Sequence, residues 1–294
     1  MKKEKFTIKQ FNEMYPDDSA CLQQIFDNRC GHVSECPHCN KTTKFYRTAN
    51  DRKCYSCEWC GYQIHPLAGT IFHKSSTSLK SWFYAMFLFS CSKNGVSGKE
   101  LERQLGVTYK TGWRMAKQIK MLFDEGIDLL TGVVEIDETY VGGKEKNKHF
   151  NKKTPNNQGR SNKTKTPIIG AVEREGNIVA KVVADTTSST IQPFLRNHVS
   201  IEAEIKTDEY QAYNVVSKMG YSHDTVDHGS KQYVRGDAYT NNVEGFWSQL
   251  KRSIHGTYHF VSPKYLQQYV NEFSYRYNRR NMISPIFHSI VARV

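Results

Sequence analysis

The apolar positions of this chain change period along its length, and the changes mark its parts. Residues 133–141, VVEIDETYV, alternate with a period of two. Val134, Ile136 and Tyr140 share one face, and Glu135, Asp137 and Thr139 share the other, which predicts a strand. IIGAVE (168–173) and NIVAKVVAD (177–185) predict two more strands, joined by a turn at Glu175-Gly176-Asn177. STIQPFLRNHV (189–199) has helical spacing, AEIKTDEY (203–210) is a short strand ending at Asp208, and YQAYNVVSKMG returns to helix. YSHDTVDH (221–228) predicts a fifth strand. NNVEGFWSQLKRSI (241–254) follows as an amphipathic helix with Phe246, Leu250 and Ile254 in its buried stripe. PKYLQQYVNEFSYRYNRRN (263–281) is a last helix, with Leu266, Val270, Phe273 and Tyr277 inward and Arg276, Arg279 and Arg280 as candidates to face a polyanion.

The half before residue 128 is organised differently. Ser78 can cap a helix running through FLFS, and Asn94-Gly95 stops it. Ser97 caps GKELERQLG with Glu100 three residues on, the capping-box spacing. After Gly106, Thr108 caps YKTGWRMAKQIKMLF. Its apolar side carries Trp113, Met115, Ile119 and Leu122, and its basic face Lys110, Arg114, Lys117 and Lys120. Two helices joined by a glycine turn, the second one basic, match a helix-turn-helix, although many helical hairpins share the pattern. Further upstream, KFYRT and RKCYSC read as short strands of a ribbon.

Composition narrows the chemistry. Of 294 residues, 41 are Lys or Arg and 29 are Asp or Glu, a formal charge of +12 that favours nucleic acid or another anionic surface as partner. The longest apolar run, WFYAMFLFSC (82–91), falls short of the roughly 20 residues a membrane-spanning helix needs. MKKEKFTIKQ has no apolar segment of the kind a secretion signal carries. These features predict a cytoplasmic protein without a membrane partner, in a compartment where clustered cysteines bind metal more often than they pair.

Of the eight cysteines, Cys36 and Cys39 form CPHC, and Cys57 and Cys60 form CEWC after seventeen intervening residues, each pair followed by a turn residue, Asn40 or Gly61. Four thiolates at that spacing predict a structural zinc ribbon. CYSC (54–57) is also a CxxC, so Cys54 competes with Cys60; Gly61 completing the second turn favours Cys57 and Cys60.

Three strands, a helix, a strand, a helix, a strand and a helix is the order of an RNase H-like domain. In that order Asp137 falls in the first strand, Asp208 at the end of the fourth and Glu244 on the late helix, with thirty-five residues between Asp208 and Glu244. Three carboxylates at a sheet edge can hold two hard divalent cations with oxygen ligands, an arrangement suited to phosphodiester chemistry. Each acid also has a plainer reading: Asp137 as a strand end, Asp208 as a turn, Glu244 as part of a helix cap. Glu135, Glu138 and Glu209 compete for the same roles. Lys251, seven residues after Glu244, lies on the same helix face, and Arg252 follows it. The segment 144–167 holds eight Lys or Arg and one Glu with almost no apolar residue, which predicts a basic loop.

CPHC with CEWCG, GTIF, KTGWRM, EIDETYVGGKEKNKH, TNNVEGFWSQLKR, GTYHFVS and EFSYRYNRR together resemble bacterial insertion-sequence transposases of the DDE superfamily, in the ISXO-type branch with an N-terminal zinc ribbon. The resemblance covers the chain from about residue 15 onward. It implies an α/β catalytic domain of RNase H-like fold at 129–294, with the basic loop 144–167, behind a helix-turn-helix-like DNA-binding segment (76–128) and an N-terminal helix with the zinc ribbon (1–75). It implies Mg²⁺, or Mn²⁺, held by Asp137, Asp208 and Glu244. It further implies DNA cleavage at element ends and joining of the 3′-hydroxyl to target DNA, by a homodimer or larger assembly acting at the nucleoid. Lys110, Arg114, Lys117, Lys251 and Arg252 are the expected DNA contacts. The rival functions are a non-catalytic zinc-ribbon and helix-turn-helix DNA binder, and a nuclease that cuts without joining.

Overall fold

Helices α1 (Ile8–Met14) and α2 (Asp18–Cys30) open the chain, each started by a side chain that satisfies an unpaired backbone N–H. Thr7 and Gln10 form a capping box on α1, and Asp17 accepts from the Ala20 amide on α2. The structure, a computed structural model, describes residues 4–48, 52–143, 149–154, 164–226, 239–282 and 284–294. It divides into two compact units, Met1–Leu122 with Met282–Val294, and Phe123–Asn281.

In the first unit, β1 (Phe45–Arg47), β2 (Tyr55–Cys57) and β3 (Gln63–Ile64) make an antiparallel three-stranded ribbon. Tyr55 ties the ribbon to α2: its ring stacks on Phe26 at 3.9 Å, and its hydroxyl donates to Gln23 at 2.9 Å. Helix α3 (Leu79–Cys91) buries Leu79, Trp82, Phe83, Met86 and Phe89. An apolar surface this broad explains why the longest hydrophobic run belongs to a core helix.

Helices α4 (Gly98–Leu105) and α5 (Tyr109–Met121) follow, capped by Ser97 and Thr108, with Gly106 between them at φ 65°. They cross closely because both carry glycine at the contact. A Cβ on Gly112 would lie 2.6 Å from the Gly98 carbonyl oxygen, and one on Gly98 would lie 2.9 Å from the Trp113 Cα. Two positions differ from the sequence expectation. Lys120, expected on the basic face, is 2% exposed, with its ammonium 4.4 Å from the Phe89 ring centre. Trp113, expected inward, is 38% exposed beneath the Lys117 ammonium. At the crossing the N, Cα and Cβ of Trp113 lie nearest Gly98.

The second unit is a five-stranded mixed sheet. Strands β4 (Val133–Val141), β5 (Thr166–Glu173) and β6 (Ile178–Val182) form an antiparallel meander. β7 (Glu204–Asp208) adds parallel to β4, and β8 (Ser222–Val226) parallel to β7, giving the order β6-β5-β4-β7-β8. The helices are α6 (Ser188–His198), α7 (Asn214–Lys218), α8 (Asn241–Ser253) and α9 (Pro263–Asn278). Strand alternation splits the core in two. Val134, Ile136, Ile169 and Ala171 pack with Ile191, Leu195 and Val216. Ile168, Val172, Ile178 and Ala180 pack with Val243, Phe246, Trp247, Leu250, Val270 and Phe273. Helix α9 covers the outer strand with two side-chain amides. Gln267 accepts from Val182 N and donates to Ala180 O, and Asn278 does the same for the N–H and C=O of Ile178, so that edge is paired and closed to further strands.

The arginines after α9's midpoint are spent inside the unit. Arg276 pairs with Glu272 at 3.0 Å, Arg279 with both oxygens of Glu125 at 2.8 Å, and Arg280 donates to the Gly176 carbonyl at 2.8 Å. The three side chains expected from sequence to face a polyanion are thus half-buried and engaged by partners within the unit. Helix α10 (Ile286–Val291) then returns to the first unit, where Phe287 packs among Phe6, Phe11, Tyr15 and Phe87. The tail expected to close a 129–294 segment therefore completes the core of the N-terminal unit.

Candidate active site and cysteine cluster

Cys36 and Cys57 each begin a knuckle whose turn needs a left-handed residue, supplied by Asn40 (φ 55°) and Gly61 (φ 70°). The turns close through Asn40 N to Cys36 O at 2.9 Å and Gly61 N to Cys57 O at 3.1 Å. They bring the sulfurs of Cys36, Cys39, Cys57 and Cys60 within 4.8 Å of one another. The Trp59 amide donates to the Cys57 sulfur at 3.4 Å, and the Thr43 hydroxyl lies at the same distance, both suited to a thiolate. Four mutually close cysteine sulfurs fit a tetrahedral Zn²⁺ ribbon. Cys54 is buried outside the cluster, with its sulfur 3.4 Å from the Thr48 hydroxyl, so the competition at 54–60 falls to Cys57 and Cys60.

In the second unit the three acids reach one neighbourhood from three elements. Asp137 sits in β4 opposite Gly170 of β5, half-buried. Asp208 is the last residue of β7, which runs parallel to β4, and its Oδ1 accepts from Tyr210 N at 3.0 Å. Glu244 lies in the first turn of α8, solvent-exposed, and accepts from the Thr240 hydroxyl at 3.2 Å. Burial, and then the negative charges of Glu138, Asp208 and Glu244, push the Asp137 carboxyl up to about 7. The acids thus crowd one field without closing as tightly as the cysteines do. Among the described residues, the cysteine set is the group of three or more His, Cys, Asp or Glu whose ligand atoms all lie within 4.8 Å.

An open cleft of about 780 Å³ carries Asp137 and Glu244 on its walls, together with Trp247, Lys251, Arg252 and His255. Partial burial lowers the pKa of the Lys251 ammonium; the nearby Asp137 charge opposes that shift and Lys165 adds to it. Helix α8 leaves the cleft through a π turn, Ile254–Tyr258. Lys110 and Arg114 stand exposed on α5 in the first unit, with Lys117 half-buried over Trp113. Most of the basic segment 144–167 lies outside the described residues, as do residues 227 and 228 of the expected fifth strand.

The three rival acids separate by environment. Glu209 is exposed, and Glu138 is buried with its Oε2 accepting from the Tyr213 hydroxyl at 2.9 Å. Glu135 is fully buried and holds the start of α8. It accepts from Asn242 N and Asn242 Nδ2, both at 2.8 Å, and from Val243 N at 3.3 Å, while Arg174 Nε pairs with it at 2.9 Å. This role was missed in the sequence. Its one signal there is that Glu135 shares a strand face with Asp137.

The sheet unit is thus a mixed α/β domain in which acids and cations, Asp137, Glu138 and Glu244 with Lys251 and Arg252, share one cleft. Residues 129–278 match the family model described as the ISXO2-like transposase domain, so the chain belongs to that family, a branch of the DDE superfamily of insertion-sequence transposases. It is 26% identical over 252 residues to an uncharacterized protein in transposable element ISH50 of Halobacterium salinarum, covering 82% of this chain and 84% of that protein. It is also 26% identical over 105 residues to an uncharacterized transposase-like protein of Haemophilus influenzae, covering 36% of this chain and 84% of that one. A simian T-cell lymphotropic virus intasome in complex with the PP2A regulatory subunit B56 gamma aligns over 65% of this chain and 64% of that one. Its identity is 13% and its TM-score 0.29, a likeness too loose to bear on the fold.

Proposed function

We propose that the chain is a metal-dependent DDE transposase that hydrolyses phosphodiester bonds at the ends of its element and joins the freed 3′-hydroxyl to target DNA. Its second unit is read as RNase H-like, because the antiparallel meander β4-β5-β6 extended by parallel β7 and β8 has that strand order. The observation that carries the reading is the crowding of Asp137 by Asp208 and Glu244. Like charges gathered this way raise the energy of the apo site, and a divalent cation relieves them.

The donor set is carboxylate oxygen, which fits Mg²⁺ or Mn²⁺ and disfavours a thiophilic ion. When bound, such ions activate the attacking oxygen and stabilise the leaving one. Asp137, Asp208 and Glu244 would hold these ions between them. Lys251 and Arg252 supply positive charge on the cleft wall, where a DNA backbone would lie. The ribbon and the α4–α5 pair, read as a helix-turn-helix, serve as DNA-binding parts, and handling two element ends calls for a dimer or larger assembly.

Labelled element-end DNA incubated with the protein, Mg²⁺ and a target plasmid tests this reading. The expected product is end DNA joined to the plasmid. Cut but unjoined ends would reduce the activity to a nuclease, and bound but uncut DNA would remove the catalytic reading.

A further inference from the structure

Glu244 sits on a helix and Asp137 on a strand, so their spacing depends on how α8 is fixed along β4. Helices are ordinarily started by a local side chain, yet Thr240, at the N-cap position of α8, makes no side-chain cap. Glu135 takes that place from the sheet. It is 0% exposed, and its donors come from the first residues of α8 and from Arg174. Arg174 also donates to the Tyr239 carbonyl at 3.1 Å and stacks on the Tyr239 ring, so it grips the chain entering the helix. One turn further on, Trp247 lies across Gly170, the residue paired with Asp137. Both holds on α8 therefore originate beside Asp137.

A buried ion pair is a costly way to anchor a helix, since apolar packing often stabilises as well. What a buried carboxylate adds is direction: its two oxygens accept N–H groups at one position along the helix only.

We propose that Glu135 is a positioning residue that sets the Glu244 carboxylate against Asp137. This inference rests on the reading of the three acids as a cation site. Glu135→Gln keeps the shape but leaves one acceptor oxygen for the donors now shared by two, and its amide N–H₂ opposes them. Asn242→Ala is milder, removing one of these bonds while keeping the pair with Arg174.

The test is Mn²⁺ titration of the zinc-loaded full chain by calorimetry, with folding followed by circular dichroism. Loss of an outer partner of a metal ligand typically weakens affinity about 10–100-fold, and that range is expected for Glu135→Gln, with a smaller loss for Asn242→Ala. In a Glu244→Gln background neither change should weaken Mn²⁺ further, because the effect passes through Glu244. Additive losses in that background, or unchanged affinity in both folded single variants, would overturn the positioning role. Should Glu135→Gln fail to fold, the Asn242→Ala cycle decides alone. Asp137→Asn and Glu244→Gln run alongside: if both keep full Mn²⁺ affinity, the cation-site reading fails, a result distinct from failure of Glu135.

Discussion

At the scale of single residues, Asp137 shows how a carboxylate crowded by other acids and a stable fold pull against each other. Its pKa is raised first by burial and then by Glu138, Asp208 and Glu244, so at neutral pH the folded state holds a charge that the unfolded chain carries more easily. Asp137→Asn removes that charge while keeping the shape. The variant should melt at a higher temperature than the parent without added Mg²⁺ and should lose cleavage, with DNA binding retained. Thermal melts with and without Mg²⁺ check it: Mg²⁺ should stabilise the parent and leave the variant unchanged. Gly170 makes a steric counterpart. A Cβ there would stand 2.6 Å from Trp247 Cζ2 and 2.7 Å from Cη2, so Gly170→Ala must push the indole off the sheet. Overpacking of this kind costs about 1–3 kcal/mol, readable as a lowered urea midpoint. None of this was legible in IIGAVE, where Gly170 is simply the small residue of an apolar strand.

At the scale of elements, much was legible because local signals and local structure agree. VVEIDETYV forms β4 with Val134 and Ile136 in one core, although Glu135, Glu138 and Thr139 are buried too, and the caps at Ser78, Ser97 and Thr108 start the helices they foretold. The misreadings fall where a tertiary contact overrides the helical wheel. Lys120 lies on the basic side by counting, yet α3 places Phe89 against it. Trp113 lies on the apolar side, yet its N, Cα and Cβ are what meet Gly98 at the crossing, and the residue is 38% exposed. The basic face of α5 thus reduces to Lys110, Arg114 and Lys117. If that face meets phosphates, Lys110→Ala with Arg114→Ala should weaken binding to all DNA sequences alike. It should also lower the slope of log affinity against log salt by about 2, near 0.9 for each phosphate no longer neutralised. Fluorescence anisotropy across a salt series measures it, and an unchanged slope would move the phosphate-binding face elsewhere.

At the scale of the whole molecule, the first unit has two sources of stability that the sequence displays unequally. The cysteine cluster is announced by its spacing, and small ribbons depend on their metal for folding. Cys36→Ser, or a strong zinc chelator, should therefore abolish the ribbon's folding transition while leaving the sheet of Phe123–Asn281, whose strands and core contain no cysteine, intact by circular dichroism. The second source is silent in the sequence. Helix α10 is short and follows α9 after only the stretch RRNMISP, so it reads as the end of the same segment. Its destination is decided by residues at the opposite end of the chain: the Phe287 ring stacks on Phe6 at 4.8 Å and is wholly buried, and Asn28 donates to the Val291 carbonyl at 2.9 Å. Truncating a buried phenylalanine costs about 3–5 kcal/mol, most where neighbours cannot collapse into the space. The neighbours here are rings of Phe6, Phe11, Tyr15 and Phe87, fixed by α1 and α3. Phe287→Ala should accordingly lower the melting transition of the first unit and leave that of the second in place. A single transition shifting as one, or a shift confined to the sheet unit, would show that the tail stabilises something other than the N-terminal core.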